Sequence, residues 1–372
     1  METIKTDILV IGGGIAGITF AENYKRLNND KKVVVVEKED TNIYSKVLLP
    51  NFIKGLIPKE KVFIRTREQI EQKNIVYLTN ESVDSCDANN KIATSSKHTF
   101  EYQTLVIATG GDARNIAAGE NIFYLQTLDD AIKIKSKLDK LSKGTKATVI
   151  GGGFIGIEFL EIFKEKGVEI TNLIRNGIYF GKSAPSVLTE KLNLIFEKEQ
   201  IKIQPYNNIK TIEQTNIKFD NKELQTNIIG IGAGITLNDQ ITKNRHEVNQ
   251  FLQLSTDTYL IGDLAVVCKD QTTRGGGNWN NAIAQGMWLA RYLSHEITTP
   301  FVFGRTSDYS TRFFGNNLIF MGITNQDQVK NKVLLNKENK LYIECYINEK
   351  LSGAILLNSP EKRAEIATKL NT

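Results

Sequence analysis

Residues 7–24, DILVIGGGIAGITFAENY, decide the fold of this 372-residue chain. They combine a short apolar strand, a turn of the form GxGxxG at Gly12, Gly14 and Gly17, and the start of a helix. In such a unit the first glycine makes the turn, the second lets the backbone approach a pyrophosphate, and the third lets helix and strand pack closely. The helix N-terminus adds free N–H groups and a partial positive charge. The stretch therefore predicts a Rossmann-like unit that binds a dinucleotide.

The same pattern occurs a second time. Residues 147–163, ATVIGGGFIGIEFLEIF, place glycines at Gly151, Gly153 and Gly156 between an apolar strand and a helix. The first copy also continues into a second strand, KKVVVV, which ends at Glu37, about 20 residues further on, where an acid would hold a ribose diol. Two copies in one strand–turn–helix context are far more specific than a single motif. We predict an α/β protein with two Rossmann-like dinucleotide-binding domains.

Three further apolar strands end in small or polar residues. They are TLVIATGG (residues 104–111, breaking at Thr109 and Gly110), NIIGIGAGI (227–235) and TYLIGDLA (258–265, breaking at Gly262 and Asp263). After residue 300 the pattern changes to short apolar strands separated by Asn, Lys and Glu, followed by a helix with Pro360 near its start. This change predicts a small C-terminal α+β domain.

Composition limits the class of protein. The chain carries 47 basic and 42 acidic residues, a net charge of +5, and 41% hydrophobic residues. That charge is too weak and dispersed to favour nucleic acid, and would at most help a small acidic protein to dock. No apolar run approaches the ~20 residues that span a bilayer, and the N-terminus enters its first strand without a basic region or cleavage site. We expect a cytoplasmic protein without a membrane or nucleic-acid partner.

The three cysteines, Cys86, Cys268 and Cys345, lie far apart in the sequence. They form no CxxC pair and no Cys/His metal spacing, so no metal site is expected. Isolated cysteines in a chain of this size fit a reducing compartment better than a disulfide framework.

Together these features resemble the pyridine nucleotide-disulfide oxidoreductases, flavoproteins with two dinucleotide-binding domains. The resemblance rests on the two glycine turns, YSKVLLPNFIKG (44–55), the ATG turn at 108–110, GDLA (262–265) and NWNNAIAQG (278–286), which follow the family order. It implies a discontinuous FAD-binding domain at residues 1–111 and 230–300. An NAD(P)H-binding domain at 112–229 and a C-terminal domain at 301–372 would complete the chain.

The resemblance also implies roles for individual residues. FAD would be bound by Gly12, Gly14, Gly17, Glu37, Lys46, Thr109, Gly110, Gly262, Asp263, Trp279 and Gln285. NAD(P)H would be bound by the second glycine turn, where Phe154 would cover the flavin and Glu158 would orient the nicotinamide amide. A core packing role is an equally open reading of Phe154. Relatives pair this glutamate with a lysine at a position that reads Asn51 here, so Lys54 or Lys46 would have to substitute.

Within the family the chain is most similar to members without a redox-active disulfide, such as NAD(P)H:rubredoxin and ferredoxin reductases and the flavin domain of nitrite reductases. No cysteine occurs between Glu37 and Ile75 or within residues 112–229, where disulfide-reducing relatives carry their pairs. The implied activity passes a hydride from NAD(P)H to FAD and then electrons to a small electron-transfer protein. An NAD(P)H oxidase using oxygen or a small oxidant and a non-enzymatic flavin-binding redox sensor or assembly factor remain alternatives. The chain is expected to be a monomer or homodimer.

Residues 170–177, ITNLIRNG, bear on the choice between NADPH and NADH. At the position that corresponds to Glu37 the second copy has Ile174, followed by Arg175. A carboxylate there would accept from the 2′-hydroxyl of NADH, whereas an arginine offers a fork suited to a 2′-phosphate. NADPH-dependent glutathione reductases share the Ile-Arg order but use a second arginine six residues on, where this chain has Gly181 and then Lys182. The sequence therefore favours NADPH as the donor. The alternative is that Arg175 is simply a solvent-facing residue at the end of the strand.

Overall fold

The computed structural model describes residues 2–142, 144–181, 184–269, 272–275, 278–302, 308–324 and 328–370. The chain divides into two compact units. The first comprises Met1–Ser45, Glu60–Asp112 and Thr236–Ser307, and the second comprises Lys46–Lys59, Ala113–Ile235 and Asp308–Thr372. The three-domain division stays a prediction, and the C-terminal segment belongs to the same compact unit as the second glycine turn.

Eight α-helices occur in the described residues. They are α1 (Ile15–Leu27), α2 (Leu49–Lys54), α3 (Arg67–Glu71), α4 (Leu128–Leu138), α5 (Phe154–Glu165), α6 (Ser186–Lys198), α7 (Trp279–Leu293) and α8 (Arg363–Lys369). Helices α1, α3 and α7 belong to the first unit and the others to the second. None of these helices is long and apolar enough to cross a membrane.

The first unit is organised around a largely parallel sheet. Its strands are β1 (Glu2–Ile11), β2 (Val33–Val36), β3 (Ile43–Tyr44), β4 (Phe63–Arg65), β5 (Ile75–Leu78), β6 (Val83–Asp87), β7 (Ile92–Ser95), β8 (His98–Ile107), β19 (Glu247–Val248), β20 (Gln253–Ser255), β21 (Thr258–Leu260), β22 (Val266–Lys269) and β23 (Thr272–Gly275). The main sheet has the order β20-β21-β8-β1-β2-β5, in which β21, β8, β1, β2 and β5 run parallel. All four valines of β2 are buried, as expected for a strand covered on both faces.

The second unit contains a second parallel sheet. Its strands are β10 (Ile122–Phe123), β11 (Lys146–Ile150), β12 (Glu169–Arg175), β13 (Lys202–Tyr206), β14 (Ile209–Ile212), β15 (Asn216–Phe219), β16 (Lys222–Gln225), β17 (Ile228–Ile231), β24 (Tyr309–Phe313), β25 (Asn316–Gly322), β26 (Lys330–Lys337), β27 (Lys340–Ile347) and β28 (Lys350–Leu357). Strands β10-β17-β11-β12-β13 form the parallel sheet, and β24-β25-β28-β27-β26 form an antiparallel one. The chain passes from one unit to the other within strand β9 (Gly111–Ala113) and again within strand β18 (Ile235–Leu237).

The predicted fold class is confirmed. Both glycine turns join a parallel strand to a helix, and the C-terminal segment forms the predicted strands and closing helix. Two local features mark helix ends: Thr127 caps α4 in a capping box with Asp130, and Gly167 follows the end of α5 with a φ of +67°. Strand β24 is an addition that the sequence pattern did not predict.

Candidate functional site

The two glycine turns have the same backbone geometry. Gly12 and Gly151 adopt φ values of +102° and +127°, which favour glycine. A methyl group added at Gly12 would lie 2.4 Å from the carbonyl oxygen of Ala108, and one added at Gly151 would lie 2.3 Å from that of Gly232. In each turn the first glycine therefore fits against the end of a neighbouring parallel strand.

The third glycine of each turn packs against the first. A methyl added at Gly17 would lie 2.0 Å from the Gly12 oxygen, and one added at Gly156 would lie 2.5 Å from the Gly151 oxygen. No larger side chain fits these positions without moving backbone. These contacts confirm that the third glycine allows helix and strand to pack closely.

The middle glycine of each turn faces open space. An added methyl at Gly14 or Gly153 would meet no atom of the described residues within 4 Å. Helices α1 and α5 begin directly after these residues, and no side chain in the described part of the chain caps their first N–H groups. Unused N–H donors beside an open backbone form a cradle that fits the pyrophosphate of a dinucleotide, so the residues present fit such a cofactor in both units.

Glu37 and Ile174 occupy equivalent positions in the two units. The Gly12 N–H donates to the Val36 oxygen at 2.9 Å, and the Gly151 N–H donates to the Leu173 oxygen at 3.0 Å. The next residue is Glu37 in one unit and Ile174 in the other. The carboxylate of Glu37 accepts from the Gly13 N–H at 2.6 Å and from the Glu39 N–H at 2.9 Å. Each oxygen keeps further acceptor capacity for a ribose hydroxyl.

Arg175 lies exposed at the end of β12, directly after the fully buried Ile174. No hydrogen bond or ion pair joins its guanidinium to another described residue. Lys182, the second cation considered for this site, lies outside the described residues. The position of Arg175 leaves its five donors available to an anionic group of a ligand.

Thr109 and Gly110 are braced by Asn238 within the first unit. The Thr109 hydroxyl donates to the Asn238 oxygen at 2.7 Å, and the Asn238 side chain donates back to the Thr109 oxygen at 3.2 Å. The Asn238 N–H donates to the Gly110 oxygen at 2.9 Å. These bonds give both residues a structural role that the sequence did not indicate, while their contact with a cofactor stays a prediction.

Gln285 joins helix α7 to the turn at Gly262. Its side-chain oxygen accepts from the Gly262 N–H at 2.6 Å, whereas its buried Nε2 has no partner among the described residues. Asp263 follows in the same turn and is half-buried. Trp279, also half-buried, is the first residue of α7, whose N-cap Asn278 accepts from the Asn281 N–H at 2.7 Å. An orphaned buried donor beside this turn fits a site that is completed by a polar ligand.

Phe154 lies in an aromatic cluster of the second unit. Its ring stacks on Tyr309 with centroids 5.6 Å apart and meets the edges of Phe180 and Phe320 at 4.9 and 5.7 Å. These contacts show Phe154 packed against residues of the C-terminal segment. Its predicted function as a cover for the flavin stays a prediction.

Lys54 forms its ion pair with Glu161 rather than with Glu158. The Lys54 Nζ lies 2.6 Å from Glu161 Oε2, and the lysine side chain is only 8% exposed. Glu158 lies one helical turn earlier on α5 and forms no hydrogen bond with another described residue. The pKa of Glu158 is raised to about 7, first by burial and then by the charge of Glu161, while Lys54 opposes the shift. The cation that is missing at Asn51 is therefore supplied by Lys54, one turn further along α2. Lys54, however, pairs with Glu161 and not with Glu158.

The raised pKa of Glu158 predicts a pH-dependent stability. Its folded pKa lies above the ordinary 4.5, so the fold binds the proton more tightly and loses stability as pH rises from about 4.5 through about 7. Glu158→Gln should unfold like the wild type at pH 5 and be more stable at pH 8, by at most about 3 kcal/mol. Urea unfolding at both pH values tests this.

The control for this prediction is Glu165→Gln, on an exposed residue of the same helix. It should change stability equally little at both pH values. A Glu158→Gln variant with the wild-type pH profile would show that Glu158 ionises normally in the fold.

Lys46 is exposed at the start of the 3₁₀ helix Lys46–Leu48, which belongs to the second compact unit. Its predicted contact with FAD phosphates stays a prediction.

Sequence reasoning missed Gly286. A methyl added there would lie 2.6 Å from the Ala16 oxygen, so the glycine lets α7 pack against α1. The Gln-Gly pair at the end of NWNNAIAQG was the available signal for it.

Comparisons with known proteins agree with this geometry. The family model of the pyridine nucleotide-disulphide oxidoreductases matches residues 6–286. The chain is 27% identical over 286 residues to an NADH oxidase of Methanocaldococcus jannaschii, covering 70% of this chain and 63% of the relative. It is 32% identical over 166 residues to an NADH-rubredoxin oxidoreductase of Clostridium acetobutylicum, covering 44% of this chain and 42% of the relative. The chain thus spans less than two thirds of either relative.

A solved structure extends the likeness to the whole chain. Reduced Bacillus anthracis CoADR-RHD superposes with a TM-score of 0.87 over 100% of this chain and 75% of that one, at 19% identity. At this identity the likeness concerns the fold. The family model covers most of the chain and both glycine turns. The chain belongs to the pyridine nucleotide-disulphide oxidoreductase family.

Proposed function

We propose that the chain is an FAD-dependent NAD(P)H oxidoreductase. The observation that carries the proposal is the repeated glycine turn, open at Gly14 and Gly153 and followed by different residues, Glu37 and Ile174. The two turns would then form two dinucleotide sites with different ribose environments. Bound FAD would supply an acceptor for the hydride of NAD(P)H and a donor of electrons to the final acceptor, chemistry that side chains do not provide.

The first glycine turn is proposed to hold the adenosine and pyrophosphate of FAD. Glu37 would accept hydrogen bonds from the ribose, and the N-terminus of α1 would stabilise the phosphates. Near Gly262 and Asp263, the unpartnered Nε2 of Gln285 and the N-terminus of α7 would complete the site. Helix N-termini stabilise negative charge, which favours the reduced form of a bound flavin.

Electrons would not pass through thiols in this protein. All three cysteines are free, and burial raises the pKa of Cys86 and that of Cys345 to about 12. Burial is also the largest cause that raises the pKa of Cys268. Because the thiolate is the reactive form, these shifts disfavour thiol–disulfide exchange. They support direct transfer from the flavin to an external acceptor.

NADPH is proposed as the preferred donor, bound through Arg175. An exposed guanidinium directly after Ile174 can pair with a 2′-phosphate, while the buried isoleucine offers no carboxylate to the 2′-hydroxyl of NADH. Arg175→Ala should raise the KM for NADPH about tenfold or more, since a hydrogen bond to a charged group contributes about 1.5–3 kcal/mol. The KM for NADH should change less than about twofold, as measured by steady-state kinetics with both donors.

Arg245→Ala serves as the control because Arg245 is also exposed but lies in the first unit. It should leave both KM values unchanged. An equal increase in the KM values for NADPH and NADH in Arg175→Ala would refute the assignment. A wild-type preference for NADH would refute it as well.

A small electron-transfer protein such as rubredoxin or ferredoxin is the proposed acceptor, supported by the relative named NADH-rubredoxin oxidoreductase. The relative named NADH oxidase supports oxygen as a second candidate. Reoxidation of the reduced protein by air, rubredoxin and ferredoxin, compared at equal concentration, separates the two. Rapid reoxidation by air alone would favour the oxidase.

A further inference from the structure

A buried tyrosine lies directly beneath the first glycine turn. Tyr77, on β5, is 1% exposed. A methyl group placed on Gly13 would lie 2.8 Å from the Tyr77 hydroxyl oxygen and 3.0 Å from Cβ of Glu37. The hydroxyl therefore reaches the place where the glycine turn and the ribose-binding acid meet.

The Tyr77 hydroxyl has no hydrogen-bond partner among the described residues. Burial, with the charges of Glu37 and then Glu39 adding to it, holds the Tyr77 pKa well above its ordinary value. The group therefore remains a protonated donor. Leaving such a donor buried and unpaired is unfavourable, and an acceptor on a ligand would relieve this cost.

A tyrosine also lies beside the second glycine turn, in the loop after β12, and there the hydroxyl is satisfied internally. There a methyl on Gly152 would lie 3.0 Å from the ring of Tyr179. The Tyr179 hydroxyl, however, donates to Asn172 Oδ1 at 3.0 Å, and Asn172 donates to the Gly151 oxygen at 3.1 Å. Two tyrosines thus lie under two turns, and only Tyr77 keeps its donor unused.

We propose that the Tyr77 hydroxyl donates a hydrogen bond to a ribose hydroxyl of the adenosine dinucleotide held by Glu37. A ribose hydroxyl can donate to the carboxylate and accept from the phenol at the same time. The inference rests on the proposed binding of FAD at the first turn. It makes Tyr77 a second polar determinant of that site, selecting a ligand with an adenosine ribose.

The test is the FAD affinity of Tyr77→Phe, measured by titrating the flavin-free protein, with ADP as a competitor for the same site. Loss of one neutral hydrogen bond predicts a dissociation constant for FAD and for ADP raised about three- to tenfold. Because the variant removes an orphaned buried hydroxyl, its flavin-free form should unfold at an equal or higher temperature than the wild type.

Tyr102→Phe is the matched control. Tyr102 belongs to the same sheet, is 5% exposed, and also has a buried hydroxyl with no partner in the described residues, but lies away from the turn on β8. Its removal should leave the affinities for FAD and ADP unchanged. Unchanged affinities in Tyr77→Phe, equal losses in both variants, or a flavin-free Tyr77→Phe less stable than the wild type would overturn the inference. If the wild type binds no FAD, the proposed function fails instead.

Discussion

Gly14→Ala should fold normally and bind FAD about 100-fold more weakly than the wild type. Gly14 has a φ of −66° and extended ψ, which alanine adopts without strain, and within the described part of the chain a methyl there meets no atom within 4 Å. The same methyl would fill the space through which a pyrophosphate approaches the N-terminus of α1. Losing one or two charge-assisted hydrogen bonds of about 1.5–3 kcal/mol each corresponds to this factor. Flavin titration measures the affinity for FAD, and thermal unfolding of the flavin-free variant measures its stability.

Gly17→Ala provides the contrast within the same turn. Its methyl would lie 2.0 Å from the Gly12 oxygen, so the backbone itself must move. We expect a strongly destabilised or insoluble protein. A Gly14→Ala variant that binds FAD as tightly as the wild type would show that no phosphate approaches this turn.

Gly153→Ala should retain FAD but bind NADPH about 100-fold more weakly. Gly153 has the same open surroundings as Gly14 and an extended backbone with a φ of −92°. A methyl there would block the pyrophosphate at the N-terminus of α5, for the reason given for Gly14. Rapid mixing of the flavin-loaded variant with increasing NADPH measures the concentration that gives half-maximal flavin reduction.

Gly14→Ala and Gly153→Ala should therefore have opposite effects on the two sites. Gly14→Ala should lose flavin while keeping its second site, which binding of NADPH to the flavin-free protein reports. Loss of flavin in Gly153→Ala, with wild-type affinity for NADPH, would contradict the assignment of the two turns.

The sequence predicted the backbone of both sites because glycine turns obey local steric rules. Spacing alone located Gly12, Gly14 and Gly17, and their counterparts, before any contact was known. The equivalence of Glu37 and Ile174 likewise follows from strand register, which the hydrogen bonds of Gly12 and Gly151 fix.

Side-chain pairing was much less predictable. The ion pair between Lys54 and Glu161 depends on how α2 and α5 pack, and no local pattern encodes it. The same holds for the contact between Gln285 and Gly262, 23 residues apart in the chain. Tyr77 carried no signal in the sequence, because its unpaired hydroxyl becomes evident only from its place beneath the turn.

The most direct test of the central claim is anaerobic addition of NADPH to the purified, FAD-loaded protein, followed by the visible absorption of the flavin. The proposed function predicts that this absorption is lost and returns when an electron acceptor is added. At the same NADPH concentration the reduction should be far slower in Gly153→Ala, because this variant binds NADPH more weakly. A flavin that stays oxidised with both NADPH and NADH would contradict the assignment as an NAD(P)H oxidoreductase.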